Sequence, residues 1–180
     1  MTATNNKTVW AIDPVHTKIR FDARYLMITA VSGWFRQLEG TVTSAGDDFS
    51  NSSIELVLYT NSIDTGVPER DNHLRSADFF DAKKYPTIHF KSTAVSVTDG
   101  KINITGSLTI KDTTQDIQFT AVYFGSLPDP MGNTKAGFES DIIFNRKDFN
   151  ISWNQRFDKQ GVLISDEVGI HADIQLLKLS

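Results

Sequence analysis

The sequence predicts an all-β fold, a barrel or sandwich of roughly eight or more antiparallel strands in one domain. Three observations carry that reading. Apolar residues recur at every second position through most of the chain, turn signals separate these runs, and only residues 68–84 have a helical look. A length of 180 residues suits a single all-β domain and buries enough surface to fold without covalent staples.

The clearest alternating runs set Ile19, Phe21, Ala23 and Tyr25 against Lys18, Arg20, Asp22 and Arg24, and Ile54, Leu56 and Leu58 against Glu55, Val57 and Tyr59. Two more place Ile102, Ile104, Gly106, Leu108 and Ile110, then Val168, Ile170, Ala172, Ile174 and Leu176, on one face. Such strands turn one face to a core and the other to water, as antiparallel sheets do. Less regular runs cover Thr8–Asp13, Gly33–Ser44, Thr87–Val97, Thr114–Gly125 and Ala136–Asn145. Turns are expected at Ala45-Gly46-Asp47-Asp48, Thr98-Asp99-Gly100, Lys111-Asp112-Thr113 and Leu127-Pro128-Asp129-Pro130. Between Pro68 and Lys84 one or two short helices are expected across a barrel end, Pro68 at the first start and Asp78 capping the second. Long strands with inward aromatics (Phe21, Phe90, Phe119, and Phe138 or Phe144) favour a barrel over a sandwich. At about eight strands a barrel interior is either filled by side chains or holds a small ligand, and alternation leaves both open.

Composition removes several functions. With no cysteine, disulfides, thiolate metal sites and thiol catalysis are excluded. A net charge of −4 disfavours nucleic acid and anionic membrane surfaces. The aromatic set leans on 12 Phe, apolar area without a polar handle. Met1–Thr8 is polar and no run approaches a membrane span, so a cytoplasmic protein without stable membrane insertion is expected. Residues 1–7 are expected to be a disordered N-terminal segment before a domain over 8–180.

Chemical motifs are sparse. Phosphate-loop, dinucleotide, zinc-protease and nucleophile-elbow patterns are all missing, and His16, His73, His89 and His171 lack metal-ligand spacing. No metal and no cofactor are expected. In Glu69-Arg70-Asp71-Asn72-His73-Leu74-Arg75, Asp71 and His73 suggest either acid–base catalysis or, preferred here, local ion pairs and caps on a short helix. Arg70 and His73 also offer hydrogen bonds to a ligand head at a barrel mouth. Asp78-Phe79-Phe80-Asp81 needs a buried ring, as a plug or lid, and Arg146-Lys147-Asp148-Phe149 reads as a fold-holding turn in which Arg146 and Asp148 pair.

In order along the chain, several blocks form a familiar series. They are Trp10-Ala11-Ile12-Asp13-Pro14-Val15-His16-Thr17, Gly33-Trp34-Phe35, Ser62-Ile63-Asp64-Thr65-Gly66 and Arg70 through Asp81. Tyr85 through Ser92, Gly106-Ser107-Leu108-Thr109-Ile110, Asn145 through Phe149 and Ser165-Asp166-Glu167-Val168 complete it. With these blocks the chain resembles the YceI-like family of bacterial, lipocalin-like polyisoprenoid-binding proteins. The resemblance implies an extended eight-stranded antiparallel β-barrel around an elongated apolar pore. It also implies an enclosed isoprenoid or similar amphiphile, and frequently a homodimer. Tyr25 stands where relatives often have histidine, and Asp112 where a turn glycine is usual.

The expectation is a non-enzymatic binding protein for a polyisoprenoid, isoprenoid quinone or fatty amide, in storage or transport. Its pore lining is expected from Phe21, Phe35, Leu56, Leu74, Phe79, Phe90, Leu108, Ile110, Phe119 and Ile170, with Arg70 and His73 near the head. At about −0.3 kcal/mol per atom, a five-carbon prenyl unit contributes roughly −1.5 kcal/mol and six units about −9 kcal/mol. The alternatives are an enzyme acting on the lipid head through His73, Asp71 and Arg70, and a barrel filled with side chains that serves as a structural or interaction module.

Overall fold

A computed structural model describes residues 7–46, 48–157 and 161–179. The expected N-terminal segment 1–7 lies almost wholly outside the described residues, as does part of the Ala45–Asp48 turn. The strands are β1 (Thr8–Ile12), β2 (Lys18–Tyr25), β3 (Thr29–Phe35), β4 (Leu38–Ser44), β5 (Ser53–Tyr59) and β6 (Ile63–Asp64). After helix α1 (Pro68–Arg75) come β7 (Thr87–Thr98), β8 (Lys101–Ile110), β9 (Thr113–Pro128) and β10 (Thr134–Asn145). A small hairpin of β11 (Arg156–Phe157) and β12 (Gly161–Val162) precedes β13 (Ile164–Lys178).

Eight strands close a ring, in the order β1-β4-β5-β7-β8-β9-β10-β13 and back to β1, every pairing antiparallel. Strands β2, β3 and β6 extend the wall from β13. β1 and β2 follow one another along the same edge of β13, which pairs with β1 through Leu176 and with β2 through Ile170. They form one long stave, broken at residues 13–17.

Asp13 holds that break. Its carboxylate accepts from Val15 N–H at 3.0 Å, Lys135 Nζ at 2.8 Å and Gln175 Nε2 at 2.9 Å, and meets His16 Nδ1 at 3.0 Å. Burial opposes its charge, but these hydrogen bonds outweigh it and hold the acid well below the usual carboxylate range. The early Asp-Pro-Val-His-Thr block is therefore the joint of a bent stave.

The alternating faces fall as expected. Ile102, Ile104, Leu108 and Ile110 of β8 point inward, as do Val168, Ile170, Ala172, Ile174 and Leu176 of β13. β7 changes parity: Ile88 and Phe90 face inward, then a bulge between Ser92 and Ala94 brings Val95 inward. The Thr98–Lys101 hairpin turns on Asp99 and Gly100, both in the left-handed region, as a tight Asp-Gly hairpin requires. In the Ile110–Thr113 turn Lys111, not Asp112, takes the positive φ of 58°.

Between Pro68 and Lys84 only the first helix forms. Pro68 opens α1, while residues 77–84 make successive turns. The expected cap by Asp78 is replaced by a 2.8 Å bond to His73 Nε2.

Candidate functional site

The barrel encloses an apolar cavity of about 590 Å³. Its interior is therefore not filled by side chains. Two glycines help to keep it open. A Cβ on Gly33 would lie 2.4 Å from the Phe21 ring, and one on Gly106 would lie 2.5 Å from the Phe90 ring. Each ring packs directly against a glycine that leaves room for it, which gives the Gly33-Trp34-Phe35 and Gly106-Ser107-Leu108 blocks a physical reason.

Phe49 stops one end of the cavity. This residue, 3% exposed, sits in the β4–β5 connection with φ of 60° and packs on Trp10, Tyr123 and Phe138, with centroids 4.9–5.3 Å away. Ser52 Oγ donates to Phe49 O, and Asn51 N–H donates to Val95 O across the barrel end.

At the opposite end lie Tyr25, α1, Phe79, Trp153 and Leu163. Glu69, Arg70, His73 and Leu74 of α1 reach this mouth. The His73 ring stands edge-on to Trp153 at 4.6 Å and to Phe79 at 5.0 Å. Phe79 is buried and Phe80 packs edge-on against Phe35, so the two-ring block works as a lid over this end.

The charged block of α1 is a latch. Asp71 Oδ1 accepts from Thr65 N–H at 2.8 Å and Thr65 Oγ1 at 2.6 Å, while Arg70 donates to Thr65 Oγ1 and O. Arg75 donates to Asn61 O and Ile63 O. The Ser62–Gly66 and Arg70–Arg75 blocks thus lock the helix onto β6. Asp71 and His73 are committed to different partners, Thr65 and Asp78, which removes the geometry of an acid–base pair.

The structure places Phe21, Phe35, Leu56, Leu74, Phe79, Phe90, Leu108, Ile110, Phe119 and Ile170 on the cavity wall, with Arg70 and His73 at the mouth. Sequence reasoning missed Phe49, Trp153 and Arg146 as lining residues. Phe49 falls in a turn-rich stretch with no alternation, and no local pattern points it inward. Arg146 was expected to pair with Asp148. Instead Nε donates to Ser165 O at 2.9 Å, and Nη1 to Ile151 O at 2.9 Å and Trp153 O at 2.7 Å. The turn holds the fold through carbonyls rather than through a surface ion pair.

On β10 and β13, Glu139, His171 and Asp173 each bring one ligand-type atom within 4.8 Å of the others. Cross-strand Lys18 and Arg20 stand opposite Asp173 and His171, Arg20 pairing with Asp22, while His171 itself pairs with Asp141 and Asp173. A hydrogen bond to Asp141 at 2.7 Å raises the His171 pKa, against desolvation.

The YceI-like domain family matches residues 10–176. Protein YceI of Salmonella newport (strain SL254) is 36% identical over 137 residues, covering 76% of this chain and 72% of the relative. The YceI protein of Campylobacter jejuni superposes with a TM-score of 0.73 at 26% identity, covering 87% of this chain and 90% of its own. BcnA of Burkholderia cenocepacia has the same fold, with a TM-score of 0.79 at 22% identity over 91% of this chain and 98% of its own. A polyisoprenoid binding domain from Saccharophagus degradans shares the fold at 12% identity, with a TM-score of 0.70 over 94% of this chain and 98% of its own. The chain belongs to the YceI-like family.

Proposed function

We propose that the protein binds one long-chain amphiphile, tail inward, in the barrel cavity, and does so without catalysis. One observation carries the reading: an apolar cavity of about 590 Å³, stopped by Phe49 at one end and bearing Arg70, His73 and Trp153 at the other. Burial of the tail supplies the affinity, and the mouth supplies groups for a polar head. The fold neighbour named for polyisoprenoid binding supports an isoprenoid tail; isoprenoid quinones and fatty amides likewise join a long apolar tail to a polar head. Enclosure of the tail in the barrel suits storage or transport. Native mass spectrometry of delipidated protein mixed with geranylgeraniol or a short-tailed ubiquinone tests the reading. One ligand per chain is expected, with no chemical change after long incubation. Unliganded protein with every tail contradicts it.

Pairing of two copies is part of the same proposal. Phe124, Leu127 and Met131 are 68%, 75% and 84% exposed on the β9–β10 hairpin, an apolar patch beyond the closed end that a second copy would cover.

A further inference from the structure

The fold leaves a rim of apolar side chains in water at the mouth of the cavity. Met27 and Ile28, at the tip of the β2–β3 hairpin, are 63% and 75% exposed, and Tyr25 and Val162 are exposed beside them. Backbone contacts make these one surface. Tyr25 pairs with Ile164, Leu26 N–H donates to Leu163 O at 2.8 Å, and Val162 precedes Leu163 in the chain. Tyr25 and Leu163 also line the cavity, so the hairpin tip stands at its opening.

The tip is strained as well as apolar. Ile28 N–H donates to Tyr25 O at 3.0 Å across a turn in which Leu26 and Met27 have φ of 53° and 58°. Such a turn favours Asn and Gly, and a bulky side chain there costs stability. Strain held by a solvent-exposed Met is of no use to the barrel, which points to a role outside the fold. Next to the tip, exposed Arg24 uses its backbone N–H on Ser165 Oγ at 2.9 Å, while its guanidinium has no partner among the described residues.

We propose that this rim docks on the surface of a phospholipid bilayer, with Met27 and Ile28 among the acyl chains, Tyr25 at headgroup level and Arg24 against lipid phosphate. The cavity mouth then faces the membrane. The proposal rests on the lipid-binding reading and adds the place from which the tail is taken. Three features select a bilayer over a second copy of the chain. The rim is continuous with a cavity for long apolar tails, which reside in membranes rather than in water. Tyrosine and arginine beside exposed aliphatic side chains suit a membrane interface. Four side chains around one hairpin tip fall short of the roughly 800 Å² per partner that a stable protein interface buries. The net charge of −4 opposes tight adhesion to anionic lipid, so the contact is shallow and reversible.

The test mixes delipidated protein with sucrose-loaded phosphatidylcholine vesicles that hold a short-tailed ubiquinone. After the vesicles are spun down, the pelleted protein and the quinone carried into the supernatant are measured over time. Native protein is expected to pellet in part and to extract quinone. Met27→Asn supplies a residue that the turn favours, so its thermal midpoint is expected to rise. Its vesicle binding and extraction rate are expected to fall about tenfold, the order that one buried Met side chain supplies. Ile28→Asp, outside the strained pair, is expected to show the same fall without the rise. Neither side chain lines the cavity, so both variants should bind quinone added from ethanol within about twofold of native. Native pelleting and extraction in both variants overturn the docking while leaving tail enclosure intact, as does native protein that never pellets. A native dimer that light scattering finds lost in both variants assigns the rim to a second copy and also overturns it. Protein that takes up no quinone even from ethanol overturns the tail-binding reading, and pelleting of native against variant protein then decides the docking by itself.

Discussion

Cavity length sets the tail that the protein can use. At about 30 Å³ per water-sized atom, the cavity of about 590 Å³ holds about 20 heavy atoms, or four prenyl units. At about −0.3 kcal/mol per atom the enclosed tail contributes about −6 kcal/mol, a dissociation constant of tens of micromolar before any head contact. Each unit up to the fourth adds about −1.5 kcal/mol, close to tenfold. Geraniol, farnesol and geranylgeraniol should therefore tighten in steps of about tenfold, and solanesol should bind no tighter than geranylgeraniol. Phe49→Ala moves the end stop. It removes a ring that is 3% exposed at the closed end, costs about 3–5 kcal/mol of stability, and opens room for about one further unit. In that variant geranylfarnesol should gain over geranylgeraniol, a gain absent from the native protein. Fluorescent-probe displacement reads the affinities, and urea unfolding reads the stability. A native affinity that keeps rising to solanesol, or a plateau unmoved by Phe49→Ala, refutes the end-stop reasoning.

Other expectations concern the wall, the latch and the joint. Gly106→Ala brings its Cβ to 2.5 Å from Lys91 O, a backbone atom that cannot swing aside, so a loss of about 1–3 kcal/mol is expected in chemical unfolding. Asp71→Ala strips both bonds from Thr65 and should cost about 3 kcal/mol, with no loss of any turnover to record. Asp13 is depressed in the folded state, so its stabilisation is fully present above the unfolded value of about 3.9 and is lost progressively as pH falls below that value toward the depressed folded one. Asp13→Asn should lower the thermal midpoint at neutral pH and flatten its decline in acid; an unchanged acid slope would count against the joint. Phe124→Asp should shift any dimer seen by light scattering to monomer, and a dimer that survives it uses another face.

Much of the barrel was legible because a period of two repeats in every long strand. The inward set of β8 and β13 can be read from alternation alone, since neither faces a parity change among those residues. β7 could not be read to its end: the bulge after Ser92 flips the face, and Thr93-Ala94-Val95 carries no local mark of it. The lid was half legible. Pro68 announces α1, but residues 77–84 settle into turns because Asp78 bonds His73 rather than the following backbone. The site shows the same division. Strand residues such as Phe119 and Ile170 were placed by pattern, whereas Phe49 and Arg146 lie in connections whose paths are fixed by tertiary contacts. Cavity and filled core share one alternation. What separates them here is where the rings of Phe21 and Phe90 lie, over Gly33 and Gly106.

Locating a bound tail tests the central claim most directly. A crystal structure of the protein with geranylgeraniol should show the tail running the length of the cavity, its end against Phe49 and its hydroxyl at the mouth near Trp153. An empty cavity in crystals that carry the lipid on the outer surface would contradict enclosure.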